Sequence, residues 1–270
     1  MIGTAAIDTL QRIHDALEAG REVLNRFTPG AIDAEYKAGH DPVTEADRAV
    51  DAVLKKHLLR EDEGWLSEET VDNPSRLEKR RVWVVDPLDG TREFVQGIPE
   101  FCISIAMVED GVPVAGGICN PATDELIIGS RGTGVTYNGK PAQPSQRTSL
   151  HGALVLASRS EVKRGEWKQF ESAEFNIRAM GSVAYKLGLV AAGKADLTFT
   201  LVPKNEWDVA AGAALVESVG GWALKLDQTP LRCNQKDPLI SGLLAGPASL
   251  REPLLAMLDR HAQTVGGEKP

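Results

Sequence analysis

Two aspartates stand three residues apart in "WVVDPLDGTREF", residues 83–94. An apolar run, Val82-Trp83-Val84-Val85, leads into Asp86, and Pro87, Leu88, Asp89, Gly90 and Thr91 follow. Carboxylate oxygens are the ligands that hard cations take. A Gly-Thr step can also turn backbone N–H groups toward an anion. Oxygen donors beside an anion receiver suit chemistry on a charged small molecule. A plainer reading stands beside this one, because Asp before Pro or Gly is ordinary turn composition.

Other acids carry the same ambiguity. Thr44-Glu45-Ala46-Asp47 fits a capping box with Thr44 as N-cap, so Asp47 alone reads as a helix-starting residue. Glu68 and Glu69 in "LSEET" alone read as solvated surface charge. Asp208 in "NEWDVAAGAALVESVGG" opens an Ala/Val/Leu-rich segment closed by Gly220-Gly221, where an acid suits the helix dipole.

These residues need elements to position them. The spacing of Ile7, Leu10, Ile13 and Leu17 predicts an amphipathic helix at the N-terminus. A second helix is expected in "DPVTEADRAVDAVLKKHLL", with Val50, Val53, Leu54 and His57 on one face. The run 82–86 reads as a buried strand whose C-terminal end delivers Asp86, the place where ligand sites of layered sheets lie. Short strands follow, with turns at Asp110-Gly111, Asn120-Pro121 and Asn138-Gly139. Residues 141–152 are rich in Pro, Gln and Ser and mark a boundary inside one unit, with subdomains at roughly 1–145 and 146–270. Beyond them strand and helix alternate through "ALVLAS", "SVAYKLGLVAAG", "ADLTFTL" and "DVAAGAALVESVGG". This mixture predicts an α/β layered fold.

The 270 residues are enough for a sizeable core. A net charge of −8 argues against nucleic-acid backbone or anionic lipid as the main partner, and no apolar run is long enough to span a membrane. The N-terminus does not read as a signal peptide. Cys102, Cys119 and Cys233 are scattered and odd in number, which suits reduced thiols in a cytoplasmic protein.

Familiar motifs fail. "GVTYNGKP" has P-loop spacing but ends in Pro141 where a Mg2+-binding hydroxyl belongs, and Asn138-Gly139 is a better hairpin turn. Aspartyl phosphatases use D-x-D, whereas the spacing here is D-x-x-D. His14, His40, His57, His151 and His261 form no zinc pair, and no G-x-S-x-G is present.

Taken together, Asp47, Glu68-Glu69, Asp86-Pro-Leu-Asp89-Gly90-Thr91 and Trp207-Asp208-x-x-Ala211 resemble the signature of the inositol monophosphatase superfamily, and "SRGTGVTYNGKPAQPS" is similar to its G-x-G hairpin. The resemblance covers most of the chain. It implies an αβαβα sandwich, a homodimer, and a lithium-sensitive phosphomonoesterase using two to three Mg2+ ions. It further implies that Glu68, Asp86 and the Leu88 carbonyl hold one ion, that Asp86, Asp89 and Asp208 hold another, and that Glu68 helps place a third through waters. Gly90 and Thr91 would receive the phosphate, and Thr91 with Asp47 would orient the attacking water. Mutually repelling carboxylates fit such a role, because cations relieve the repulsion.

Three details resemble the branch that removes the 3′-phosphate of 3′-phosphoadenosine 5′-phosphate: "GTREF", "SRS" at 158–160, and "NEWD" at 205–208. Gly181, Ser182 and Glu206 are expected to contact substrate on that reading. Leu201 stands where inositol enzymes carry a hydroxyl-binding acid. Glu161 replaces that branch's His and would repel a second phosphate, and Lys186 falls one residue later than its Lys. Inositol, other sugar or histidinol phosphates are the alternative substrates. A non-catalytic cation-binding module is the alternative class, and it would be expected to have lost a ligand, Asp47 or Thr91.

Overall fold

The periodic N-terminus forms α1 (Thr4–Leu24), with Ile13, Ala16, Leu17 and Leu24 buried and Ile7 left exposed. The computed structural model describes residues 4–36 and 42–266. His40 therefore lies outside the described residues. Short strands β1 (Glu35–Tyr36) and β2 (Pro42–Val43) pair before α2 (Glu45–Leu58), which begins at the expected Thr44 capping box. The inner face of α2 is Ala46, Asp47, Val50, Asp51, Leu54 and Leu58. His57, expected on that face, is exposed, with Nδ1 2.8 Å from the Val53 carbonyl. Two acids occupy the inner face instead.

Seven strands then build the first sheet: β3 (Gly64–Ser67), β4 (Arg81–Asp89), β5 (Cys102–Glu109), β6 (Val112–Asn120), β7 (Glu125–Ser130), β8 (Gly134–Tyr137) and β9 (Lys140–Pro141). They lie in chain order. β3 and β4 are parallel, and every other neighbouring pair is antiparallel. The Asp110-Gly111 turn (φ 50° and 78°) and the Asn138-Gly139 turn (φ 48° and 74°) both use left-handed pairs suited to tight hairpins. The P-loop look-alike is thus the β8–β9 hairpin. The short helix α3 (Thr91–Val95) leaves the end of β4.

The second half contributes β10 (Leu154–Ser158), α4 (Arg159–Lys163), β11 (Asn176–Met180), α5 (Val183–Ala191), β12 (Leu197–Thr200), β13 (Lys204–Asn205) and α6 (Glu206–Ser218). β14 (Gly221–Lys225), β15 (Leu239–Ile240), β16 (Leu243–Pro247) and α7 (Arg251–Gly266) complete it. The second sheet runs β11-β10-β12-β16-β14, and β13 pairs with β15. α4, β11, β13, β14, β15, β16 and α7 have no counterpart among the strands and helices expected in this half.

Alternation along β4 explains its unbroken apolar run. Trp83 and Val85 face a core shared with α1 and α2, while Val82 and Val84 face a core shared with α5 and α6. The α5–α6 layer also meets Leu156, Leu243 and Ala245 of the second sheet. On that sheet's outer face Trp167, Phe170 and Phe199 pack with Leu254 of α7. The result is the expected αβαβα sandwich.

Two adjacent glycines of β6 set the spacing of these layers. A Cβ on Gly116 would lie 2.4 Å from the Ala211 carbonyl oxygen of α6, and one on Gly117 would lie 2.3 Å from Ile13 of α1. Both helices therefore sit nearly on the main chain of the sheet. Gly212 lets α6 approach α5 in the same way, since a Cβ there would be 2.2 Å from Leu187 Cβ.

Candidate active site

Parallel neighbours end at the same edge of a sheet, and here both end in acids. Ser67 of β3 lies beside Val85 of β4, and the Glu68 N–H donates to the Val85 carbonyl at 3.3 Å. Glu68 and Asp86 thus leave the sheet side by side. Asp208 arrives from the first turn of α6, where its Oδ2 accepts from the Asn205 N–H at 2.8 Å. One carboxylate oxygen from each of Glu68, Asp86 and Asp208 lies within 4.8 Å of the other two. Asp208 is both a capping acid and a member of this cluster.

The electrostatics of the cluster call for a cation. Burial, then repulsion from Glu68, Asp89 and Asp208, pushes Asp86 well above the usual carboxylate range. Burial, then Asp89 and Glu68, pushes Asp208 up to about 8. An all-oxygen donor set that retains protons when alone fits a hard divalent ion such as Mg2+.

Asp89 reaches the same cleft but is turned partly away. Its Oδ2 accepts from Ser182 Oγ at 2.7 Å and from the Ala184 N–H at 2.6 Å, tying β4 to the start of α5. Ser182 holds this position with a left-handed φ of 53°. Asp89 is therefore not one of the three acids with mutually close oxygens, although its charge acts on both Asp86 and Asp208.

Asp47 and Thr91 meet directly. Thr91 Oγ1 lies 2.9 Å from Asp47 Oδ1 and 3.0 Å from the Leu88 carbonyl, both acceptors. Asp47 Oδ2 accepts from the Thr44 N–H at 2.8 Å and from Thr44 Oγ1 at 2.6 Å. Burial raises the Asp47 carboxyl, partly offset by these donors. Gly90, at φ 99°, turns the chain between Asp89 and Thr91, and a Cβ there would lie 2.8 Å from the Glu100 carbonyl oxygen. Only glycine fits this crossing.

The cleft has a volume of about 290 Å³. Gly90, Thr91, Gly181 and Ser182 line it. The Gly181 N–H, however, donates to Glu100 Oε2 at 2.8 Å. Glu206 is a correction. It lies outside the cleft, 1% exposed, and accepts from the Asn234 and Gln235 N–H groups at 2.6 and 2.9 Å. It braces the loop that Arg76 also grips through Asn234 Oδ1 at 2.7 Å. Burial pushes Glu206 up to about 7.

Glu161 is a second correction. It is buried away from the cleft, accepting from Thr200 Oγ1 at 2.6 Å and Trp167 Nε1 at 3.1 Å, with Lys204 Nζ 3.4 Å away. Its carboxylate is paired with Lys204, which lines the cleft. Leu201 packs into the outer core. The sequence reading omitted Glu93, Arg92 and Lys204 from the wall of the cleft. "GTREF" and "NEWD" bracket them, but no local pattern says which way they face. Lys186 lines the cleft too, donating from Nζ to the Ser182 carbonyl at 2.9 Å, and burial pushes it down to about 8. Trp207 Nε1 is buried at this wall with no hydrogen-bond partner among the described residues.

Residues 8–263 match the profile of the inositol monophosphatase family. An inositol-1-monophosphatase of Rhizobium meliloti is 34% identical over 201 residues, covering 71% of this chain and 75% of that protein. A solved Thermotoga maritima IMPase superposes with a TM-score of 0.81 at 27% identity, over 96% of this chain and 99% of that one. CysQ from Bacteroides thetaiotaomicron, described as a bacterial member of the same family, superposes with a TM-score of 0.73 at 27% identity, over 89% of this chain and 97% of that one.

Proposed function

The chain belongs to the inositol monophosphatase family and is a phosphatase, and from that premise we propose a Mg2+-dependent hydrolysis of a small phosphomonoester by water. The convergence of Glu68, Asp86 and Asp208 beside the Asp47–Thr91 pair carries this reading. Glu68, Asp86 and Asp208 would hold Mg2+, with Asp89 and the Leu88 carbonyl completing the oxygen set. Bound Mg2+ supplies charge neutralisation, activation of water and stabilisation of the leaving oxygen.

The residues of the chain do the rest. The Thr91 hydroxyl proton is committed to Asp47 or to the Leu88 carbonyl, so Thr91 Oγ1 offers the cleft a lone pair. It can accept a hydrogen bond from the attacking water and fix that water's orientation. Asp47, raised by burial, is the base that takes the proton through Thr91. Gly90 and Thr91 receive the phosphate with their backbone. The chain forms a homodimer on this reading, which light scattering tests.

For the substrate we propose a 3′(2′),5′-bisphosphate nucleotide. Arg92, Arg159, Lys186 and Lys204 on the wall support it, since a second phosphate would exchange for the Glu100 partner of Arg159 and the Glu161 partner of Lys204. The withdrawal of Glu161 and the apolar packing of Leu201 point the same way. An inositol or other sugar phosphate is the second reading, favoured by Glu93, a carboxylate on the wall able to accept from ring hydroxyls. Phosphate release from 3′-phosphoadenosine 5′-phosphate, inositol 1-phosphate, fructose 1,6-bisphosphate and histidinol phosphate tests both, with Mg2+, without it, and with Li+. The expected result is Mg2+-dependent, Li+-inhibited release with the highest kcat/KM on the nucleotide. A higher value on inositol 1-phosphate would select the second reading.

A further inference from the structure

Glu68 lies just past β3, and residues 68–73 have no regular structure. A metal ligand on such a connection keeps its place only if something outside the connection fixes it. The backbone supplies one restraint, the Glu68 N–H bond to Val85. A second comes from α2. Asp51 Oδ1 accepts from Ser67 Oγ at 2.5 Å, and Asp51 Oδ2 accepts from Thr70 Oγ1 at 2.6 Å. Both are short, charge-assisted contacts. They fall on either side of Glu68, one residue before it and two after.

The clamp is itself held. Asp51 is only 8% exposed. Thr70 Oγ1 receives the Trp65 Nε1 proton at 3.3 Å, and Ser67 Oγ receives the Glu69 N–H at 3.3 Å. Asp51 also follows Asp47 by one helical turn on the same buried face. A single turn of α2 therefore reaches both to Thr91 and to the two hydroxyls flanking Glu68.

We propose that Asp51 is the positioning residue for Glu68. By gripping Ser67 and Thr70 it holds the Glu68 carboxylate within reach of Asp86 and Asp208. The inference rests on the reading of Glu68 as a Mg2+ ligand. Removing one grip leaves the fold intact but lets the carboxylate wander, so metal affinity falls before anything else does.

Thr70→Val and Thr70→Ser form the critical pair, because one loses the hydroxyl and the other keeps it. Mg2+ affinity is read without substrate, by thermal-shift titration with MgCl2, alongside melting in EDTA and the Mg2+ half-saturation of turnover. Thr70→Val and Asp51→Asn are expected to weaken Mg2+ binding about tenfold, in line with lost partners of other metal ligands. Thr70→Ser should bind as the parent does, and KM for substrate at saturating Mg2+ should barely move. Thr70→Val with unchanged Mg2+ affinity, or with only a lower melting temperature in EDTA, would overturn the proposal. Glu68→Gln separates the two levels. If it weakens Mg2+ binding while Thr70→Val does not, the clamp alone fails. If Glu68→Gln binds Mg2+ normally, the metal reading fails and takes the clamp with it.

Discussion

Asp208→Asn should make the metal-free protein more stable at alkaline pH while weakening its response to Mg2+. Asp208 moves from an ordinary value of 3.8 to about 8 on folding, so the folded state binds its proton more tightly than the unfolded chain. Its contribution to stability is complete below the unfolded value and is lost as pH climbs toward 8. Each pH unit in that window is worth about 1.4 kcal/mol, so the three units from pH 5 to 8 give about 4 kcal/mol. Because part of the shift comes from the neighbouring charges of Asp89 and Glu68 rather than from Asp208 alone, about 2 kcal/mol is the working figure. Asparagine keeps an oxygen for the Asn205 N–H, so the cap survives in both proteins. At this chain length 1 kcal/mol moves the midpoint by about 2 °C. Scanning calorimetry in EDTA should thus show Asp208→Asn gaining about 4 °C on the parent between pH 5 and pH 8. Added Mg2+ should raise the parent far more than the variant, and more at pH 8 than at pH 5. A gap that is flat across pH, or that favours the parent as pH rises, would refute the electrostatic account of the cluster.

Three further outcomes are expected. Asp89→Asn should lose roughly 100-fold or more of Mg2+-dependent kcat, as removal of a group stabilising transition-state charge does; full turnover would exclude Asp89 from the metal set. Gly90→Ala sets a methyl 2.8 Å from the Glu100 carbonyl at φ 99°, so denaturant melts should show a loss of about 1–3 kcal/mol together with a fall in kcat. Glu206→Gln leaves one acceptor for two backbone N–H groups and should lower stability by about 1–3 kcal/mol with substrate KM unchanged; a selective rise in KM would return Glu206 to the substrate site.

The sequence made some of this geometry easy to see. The apolar run before Asp86 is legible because β4 is buried on both faces, and the capping pattern at Thr44 is local. The convergence of Glu68, Asp86 and Asp208 follows from separated motifs read as a set. Glu206 was misread because its direction is set by the N–H groups of residues 28 and 29 positions later. Nothing beside it announces that loop. Asp51 was passed over for a similar reason, since periodicity treats an acid as a solvent-facing residue. Its partners, Ser67 and Thr70, lie in another element. α7 went unseen because its sequence is polar over much of its length, and its apolar residues meet a sheet assembled from distant strands.

The glycine at position 116 has a consequence for how such a protein can change over generations. With α6 seated against main-chain atoms of β6, the height of Asp208 is dictated by backbone thickness, which no neighbouring side chain can retune. Residues 158–160, at the end of β10, hang instead from the second sheet and also line the cleft. That segment can gain or lose charge without moving the α6 cap that holds Asp208. The acid on α6 and the 158–160 segment thus take their positions from different layers of one molecule.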